Sequence, residues 1–322
     1  MAVYTHITDS DLIAFLADYD LGRLRAFKGI AEGVENSNFL VETDQARFIL
    51  TLYERRVAEA DLPYFLELMR HLAATGFPSP LPQRDRAGRM LKTLQGRPAA
   101  MVSFLPGESV TAPSPTHCRE LGTGLARMHA AAADFTGFRP NGLGQASWAE
   151  LFAPHSAEAD ALQAGLAPVI AADLAAVGEL WPSSLPQGVI HADLFPDNAF
   201  FLDDAFSAVI DFYFACNDII AYDLAVCLNS WCHGPDGTLS LPHARAMIEG
   251  YERHRRLSDA EVAALPVLAR GAALRFFLTR LIDWGSTPAG ALVRPKDPME
   301  YAAKLAFHRA HAGQPHAYGV QR

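Results

Sequence analysis

The chain has 322 residues, of which 50% are apolar and 20% are charged. This composition is ordinary for a folded protein of one large or two smaller domains, and it excludes wholesale disorder. The 27 basic and 36 acidic residues give a net charge of −9, which argues against nucleic acid or an anionic membrane as the main partner.

The cysteines and the apolar stretches bear on location. The four cysteines form no Cys-x-x-Cys pair and lie among apolar residues, so we expect buried, reduced thiols in a cytoplasmic protein. We expect no secretory signal, because the first residues lack a basic and an apolar region. We also expect no membrane span, because the most apolar late stretch, 267–284, carries four charged residues.

The first third of the chain predicts a small sheet with two helices. Thr8 precedes apolar residues at helical spacing, which is typical of a capped helix. Residues 58–74 predict an amphipathic helix that ends at Gly76. Short apolar runs predict strands at 24–29, 37–42, 48–53, 90–94 and 99–104. Pro106 and Gly107 then break the pattern, and we place a domain boundary there.

Beyond this boundary the sequence is mostly helical. The apolar periodicity predicts helices at 115–133, 168–181, 222–231, 243–255, 259–284 and 298–311. A compact strand–loop–strand block occupies 188–214. We therefore predict an α+β, two-lobed fold, with a small antiparallel-sheet lobe in residues 1–105 and a larger, mostly helical lobe in residues 106–322. Ligands are frequently bound between two such lobes.

The most informative block follows an apolar strand that ends at Ile190. His191, Asp193 and Asn198 form the pattern His-x-Asp-x-x-x-x-Asn, and a second apolar strand leads to Asp211, 18 residues after Asp193. A carboxylate can orient an acceptor hydroxyl and take its proton, while an amide oxygen and a second carboxylate can hold Mg²⁺ against nucleotide phosphates. Each residue alone fits a turn or a cap, but together they indicate phosphoryl transfer, as in protein kinases. We expect His191 to fix the loop by hydrogen bonds.

The phrases HADLFPDN, IDFYFACND and YDLA resemble the aminoglycoside-phosphotransferase-like kinase family, whose motif is close to His-Gly-Asp-x-x-x-x-Asn. The longer wording is similar to the bacterial homoserine kinases of this protein-kinase-like fold, which phosphorylate the side-chain hydroxyl of L-homoserine with ATP. The likeness covers nearly the whole chain. It implies that Asp193 is the catalytic base and that Asn198 and Asp211 are the Mg²⁺ ligands. Asp223 is expected to cap its helix and to support the neighbouring loop.

The N-terminal lobe is expected to hold ATP. The residues between the first two strands could form a turn that covers the phosphates, although an ordinary hairpin turn fits them equally. The extended linker after the last strand could contact the adenine ring. The candidate nucleotide contacts are Gly29, Gly33, Asn36, Asn38, Ser103, Phe104 and Leu105.

The strand FILTL departs from the wider family. Thr51 stands where that family carries a lysine toward the α- and β-phosphates, and it supplies no positive charge. Arg55 or Arg56 could reach the phosphates, but a role in an exposed turn fits them as well. Glu59 and Glu67 are candidates for the helix glutamate that would pair with the lysine, and a solvated helix face is the better interpretation of both.

The acceptor site requires groups for an ammonium, a carboxylate and a hydroxyl, and a bidentate arginine suits the carboxylate. The candidate substrate contacts are Tyr213, Asn217, Asp218, Arg275 and Arg280. We expect Trp231 and Trp284 in the core. We expect the histidines of the C-terminal region in a solvated tail, namely His308, His311 and His316.

Two alternatives stay open. One is a related kinase that acts on an aminoglycoside, a choline-like molecule or methylthioribose, although the last helices carry few of the carboxylates that an aminoglycoside would need. The other is a nucleotide-binding protein without catalysis, in which the missing lysine marks a lost activity. The intact Asp193, Asn198 and Asp211 argue against it. The oligomeric state is not predicted by the sequence.

Overall fold

The computed structural model describes residues 4–30, 36–54, 57–286 and 295–321. The chain forms two compact units. The first unit comprises Met1–Pro106, Phe135–Gly137 and Ala208–Tyr213. The second comprises Gly107–Asp134, Phe138–Ser207 and Phe214–Arg322.

The first unit is built on a five-stranded antiparallel sheet. Its strands are β1 (Leu24–Gly29), β2 (Ser37–Thr43), β3 (Arg47–Leu52), β4 (Lys92–Leu94) and β5 (Arg97–Ser103), in the order β1-β2-β3-β5-β4. The five predicted strands are therefore confirmed. Alternate residues of β2 are buried, as the period of a half-buried strand requires, whereas the last three residues of β3 are all buried. They form a core with residues of the N-terminal helix, including Leu12 and Phe15.

Two helices complete this unit. α1 (Asp9–Leu16) begins after Thr8, whose backbone N–H donates to Asp11 while the Thr8 hydroxyl accepts from the Asp11 N–H. This reciprocal pair confirms the predicted cap. α2 (Leu62–Ala74) ends where Gly76 takes a left-handed φ of 82°, as is common just beyond a helix.

The second unit is mostly helical, as predicted. Its helices are α3 (Pro115–Ala131), α4 (Trp148–Phe152), α5 (Ser156–Leu162), α6 (Leu166–Leu180), α7 (Ile220–Trp231), α8 (Leu241–Glu252), α9 (Asp259–Ser286) and α10 (Met299–Ala310). β6 (Gln187–Ile190) pairs antiparallel with β9 (Cys216–Ile219). β7 (Ala199–Leu202) and β8 (Ala205–Val209) form a second two-stranded sheet.

α9 is the central helix of this unit, in contact with α4, α6, α7 and α10. It is long and apolar enough to cross a membrane by length and composition, but 78% of its most apolar window is buried inside the protein. Burial on this scale is typical of the core helix of a globular domain. The four cysteines are buried and free, as expected.

The structure corrects several details of the prediction. α4, α5 and β9 were not predicted. Trp284 is 44% exposed, because it lies beyond Leu281, the last buried residue of α9. His308 is only 1% exposed, so the expected solvated tail is wrong there. Its ring contacts the Asn229 amide oxygen and the Tyr318 hydroxyl, each at 2.8 Å.

Candidate active site

The HADLFPDN loop, residues 191–198, follows directly after β6 in the second unit. The Asp193 N–H donates to Nδ1 of the buried His191 at 3.3 Å. The Asn198 side-chain amide donates to the Asp193 carbonyl at 2.8 Å and contacts the Asp193 carboxylate at 3.4 Å. These contacts bring the three predicted residues together in one loop and leave the Asp193 side chain partly exposed.

Asp223 on α7 is fully buried and anchors the backbone of this loop. The Asp223 carboxylate accepts the His191 N–H at 2.7 Å and the Ala192 N–H at 2.8 Å. The predicted support of the neighbouring loop is therefore confirmed. The predicted capping role is wrong, because α7 begins three residues earlier, at Ile220, and Asp223 already lies within the helix.

A histidine that was not predicted completes this anchor. His129 on α3 is buried, with Nε2 at 3.1 Å from the Asp223 carboxylate and Nδ1 at 2.9 Å from the Tyr251 hydroxyl. Arg255 donates to the same hydroxyl at 3.3 Å and to Glu261 at 2.6 Å. The only sequence signal for His129 was a polar residue on the apolar face of a helix, which more often marks an ordinary core position.

The partners of Asp223 also set its protonation state. Burial alone would raise the pKa of this carboxyl group. The hydrogen bond from His129, the electrostatic interactions with His129 and His191, and the hydrogen bond from the His191 N–H together outweigh burial, so the pKa of Asp223 is lowered below its ordinary value. The carboxylate therefore remains ionised and continues to accept the loop N–H groups throughout the neutral range.

Two further helix residues hold the loop backbone. The Trp231 indole N–H on α7 donates to the Leu194 carbonyl at 2.9 Å. The Arg275 guanidinium on α9 donates to the Ala192 carbonyl, and this side chain is only 3% exposed. Arg275 thus has a structural partner in the loop, and its predicted contact with substrate stays a prediction.

The other predicted substrate residues of this unit also have protein partners. Arg280 is buried and donates to Glu300 at 2.6 Å. On β9, the Asn217 amide oxygen accepts the Arg139 N–H at 3.0 Å. The neighbouring Asp218 accepts from the Asn141 amide at 2.7 Å. The roles of Arg280, Asn217 and Asp218 in substrate binding stay predictions.

Asp211 and Tyr213 belong to the first unit. The Tyr213 hydroxyl is 3.0 Å from that of Tyr53, and the Thr51 hydroxyl donates to the Asn38 amide oxygen at 2.8 Å. Burial raises the pKa of Tyr213 to about 12, and the charge of Asp211 adds to this rise. Both phenols therefore stay protonated. Thr51 is buried, and its hydroxyl is bonded to Asn38.

The remaining nucleotide candidates of the first unit are dispersed along its strands. Gly29 is the exposed last residue of β1, and the buried Asn36 accepts the Glu54 N–H at 3.4 Å. Gly33, Arg55 and Arg56 lie outside the described residues.

The segment after β5, residues 104–107, has no regular secondary structure. The Ser103 hydroxyl accepts the Leu81 N–H at 2.9 Å. The Arg47 guanidinium lies 4.1 Å from the centroid of the Phe104 ring. Leu105 is partly exposed.

Two glutamates are candidates for pairing with a lysine at position 51, and both lie on or near α2. Glu59 is exposed, and Glu67 pairs with Arg70 at 2.6 Å.

The donor set of the predicted metal ligands suits a hard divalent cation, because Asn198 offers an amide oxygen and Asp211 a carboxylate. The Asn198 amide nitrogen is engaged with the loop backbone, which leaves the amide oxygen as the group that can ligate a cation. Among the described residues there is no cluster of three or more histidine, cysteine or acidic side chains that would form a separate metal site.

Similarity to known proteins agrees with the phosphoryl-transfer chemistry that the sequence of this loop indicates. The model of the phosphotransferase enzyme family matches residues 26–257, which is more than half of the chain. The chain belongs to this family.

Two of its relatives are named homoserine kinase. The protein of Caulobacter sp. (strain K31) is 62% identical over 310 residues, covering 96% of this chain and 97% of that protein. The protein of Rhodospirillum rubrum is 57% identical over 322 residues, covering 100% of both chains.

Solved structures of other kinases share the fold. An amicoumacin kinase in complex with AMP-PNP, Ca²⁺ and amicoumacin has a TM-score of 0.69 at 14% identity, covering 95% of this chain and 93% of its own. A microcompartment-associated aminopropanol kinase has a TM-score of 0.67 at 19% identity, covering 98% of this chain and 99% of its own. The predicted α+β, protein-kinase-like fold is confirmed.

The lowered pKa of Asp223 implies that the stability of the fold depends on pH. A carboxyl group whose pKa is lower in the folded than in the unfolded protein stabilises the fold above the unfolded pKa of about 4, and this contribution is lost as the pH falls through the folded pKa. We expect Asp223→Asn to lower the Tm at pH 7. The difference in Tm between the wild type and this variant is expected to narrow as the pH falls below about 4.

Scanning calorimetry across this pH range measures the gap. Asp203→Asn is the matched control, because Asp203 is exposed in a turn with a φ of 52° that asparagine also adopts. A gap between wild type and Asp223→Asn that stays constant down to the lowest pH would show that the charge of Asp223 does not stabilise the fold.

Proposed function

We propose that this protein transfers the γ-phosphoryl group of ATP to the side-chain hydroxyl of L-homoserine, giving O-phospho-L-homoserine for threonine biosynthesis. The observation that carries the reaction class is the HADLFPDN loop, in which Asp193 is partly exposed while its backbone is hydrogen-bonded on both sides. The choice of substrate is supported by relatives named homoserine kinase that are 62% identical over 96% of the chain.

In this mechanism Asp193 accepts the proton of the homoserine hydroxyl as that oxygen attacks the γ-phosphorus, and the bond from the γ-phosphorus to the bridging oxygen breaks to release ADP. Positioning and charge neutralisation supply most of the catalysis in such transfers, so a rigid carboxylate is what the protein must provide. The contact between the Asn198 amide and the Asp193 carboxylate at 3.4 Å supports this orientation. The buried His191 holds the Asp193 N–H and acts through the loop backbone.

We assign the Mg²⁺ ligands to Asn198 and Asp211, whose oxygen donors fit this ion. When bound, Mg²⁺ neutralises charge on the nucleotide phosphates. Residues 1–105 are assigned as the nucleotide-binding lobe, with Gly29 and Asn36 near the phosphates and the segment after β5 near the adenine. Residues 106–322 are assigned the acceptor site. A cytoplasmic location is supported by the buried, free cysteines.

The substrate is tested with a panel of acceptors in a coupled assay of ADP release. The panel contains L-homoserine, L-serine, an aminoglycoside, choline and methylthioribose. We expect the highest kcat/KM for L-homoserine, and a value for L-serine that is about 10- to 200-fold lower, because one methylene group separates the two. A higher kcat/KM for another acceptor would reassign the substrate, and an absence of turnover with every acceptor would contradict a kinase.

The catalytic base is tested by Asp193→Asn. The amide keeps the shape of the side chain but accepts no proton, so kcat is expected to fall by about 100- to 10,000-fold. The affinity for ATP, measured by calorimetry, is expected to remain that of the wild type. The control is Asp197→Asn in the same loop, because the Asp197 side chain is 65% exposed and pairs with the surface Lys296 at 3.5 Å. Wild-type turnover in Asp193→Asn would remove Asp193 from this role.

The metal ligand is tested by Asp211→Asn. The wild type is expected to bind ATP more tightly in Mg²⁺ than in EDTA, and Asp211→Asn is expected to lose about tenfold or more of that difference. Isothermal titration with and without Mg²⁺ measures both values, with Asp203→Asn as the control. An unchanged Mg²⁺ dependence would show that Asp211 does not ligate the ion.

A further inference from the structure

The residue before the proposed catalytic base has an unusual backbone. Ala192 has a φ of 65°, in the left-handed region that side chains other than glycine rarely adopt. The related motif His-Gly-Asp-x-x-x-x-Asn carries glycine at this position, and glycine adopts this conformation without steric cost. An alanine pays roughly 1–2 kcal/mol for it, so the surrounding structure must hold the peptide in place.

Two buried charged side chains hold Ala192 from opposite ends. Its N–H donates to the Asp223 carboxylate at 2.8 Å, and its carbonyl accepts from the Arg275 guanidinium. Asp223 is 0% exposed and Arg275 is 3% exposed. Hydrogen bonds to charged groups are about twice as strong as neutral ones, so this pair can offset the strain of one left-handed alanine.

Arg275 is committed to this site. Its guanidinium lies 4.4 Å from the ring centroid of Phe276 and 5.4 Å from that of Phe214. Its Nε atom is buried and has no hydrogen-bond partner among the residues that the structure describes. A buried guanidinium is costly to maintain, and the contact that the structure shows for it in the loop is the Ala192 carbonyl.

We propose that Arg275 is a positioning residue, which holds the left-handed Ala192 peptide and thereby fixes the orientation of the adjoining Asp193. Ala192 and Asp193 share one peptide group, so a rotation that releases the Ala192 carbonyl also turns the Asp193 N–H away from His191. This inference rests on the proposed function of Asp193 as the base. It differs from a role of Arg275 in binding the substrate carboxylate, which would act on the affinity for substrate.

A double-mutant cycle between Arg275→Met and Ala192→Gly tests the proposal. Methionine fills a similar volume without a donor. In the wild-type background we expect Arg275→Met to lower kcat by about 10- to 100-fold, with the KM for L-homoserine within about twofold of the wild type. In the Ala192→Gly background the same substitution should cost at least about fivefold less, because glycine needs no support in this conformation.

The control is Arg270→Met on the same helix, where Arg270 pairs with the buried Asp173. This variant loses a buried ion pair without touching the loop, so its effect on kcat should be the same in both backgrounds. If Arg275→Met does not fold, as judged by circular dichroism, Arg275→Lys takes its place in the cycle, because lysine keeps the charge but lacks the planar guanidinium group.

The outcomes separate the proposals. Equal losses of kcat in both backgrounds, with an active wild type, contradict the positioning role alone. A rise in KM that Ala192→Gly does not relieve contradicts it too, and assigns Arg275 to the substrate carboxylate. A wild type that does not phosphorylate L-homoserine contradicts the proposed function instead, and the cycle is then measured with the acceptor that the wild type does use.

Discussion

The buried carboxylate of Asp223 is the interaction on which the HADLFPDN loop depends. An ionised carboxylate inside a protein costs several kcal/mol unless its oxygens accept hydrogen bonds. Asp223 meets this requirement with the N–H groups of His191 and Ala192 and with His129. The dependence is mutual, because these N–H groups follow directly after β6 and need an acceptor of their own. α7 therefore fixes the position of Asp193, because its Asp223 holds the backbone of the loop.

The anchor continues through the second unit as a chain of hydrogen bonds. His129 connects two partners, with Nε2 at 3.1 Å from the Asp223 carboxylate and Nδ1 at 2.9 Å from the Tyr251 hydroxyl. Burial raises the pKa of Tyr251 well above its ordinary value, which keeps this hydroxyl protonated. Arg255 then connects Tyr251 to Glu261 at the start of α9. One polar chain thus joins α3, α7, α8 and α9 to the loop.

The sequence predicted those features that depend on local pattern. The periodicity of the apolar residues located the larger helices and the five strands of the first unit, and the spacing of His191, Asp193 and Asn198 identified the loop. The sequence did not predict β9, because its residues 216–219 include Asn217 and Asp218, which are depleted in strands. That strand is specified by its pairing with β6, which no local pattern contains.

Partners far apart in the chain account for the other differences. His129 lies 94 residues from Asp223 and 122 from Tyr251, so nothing near it in sequence indicates its role. His308 is buried because Asn229, 79 residues away, contacts its Nε2 atom. A lone histidine in a C-terminal helix does not reveal such a partner. The sequence therefore indicated the residues proposed to act on substrate and metal more readily than the buried residues that support their loop.

The replacement of the usual lysine by Thr51 has a physical counterpart in the first unit. The Thr51 hydroxyl is only a few atoms from the backbone, and it donates to Asn38 on β2. Thr51 brings a neutral hydroxyl to this place, and the charge of Asp211 raises the pKa values of Tyr53 and Tyr213 beyond the effect of burial. Both phenols therefore stay protonated and neutral, so neither they nor Thr51 adds a charge to this part of the first unit.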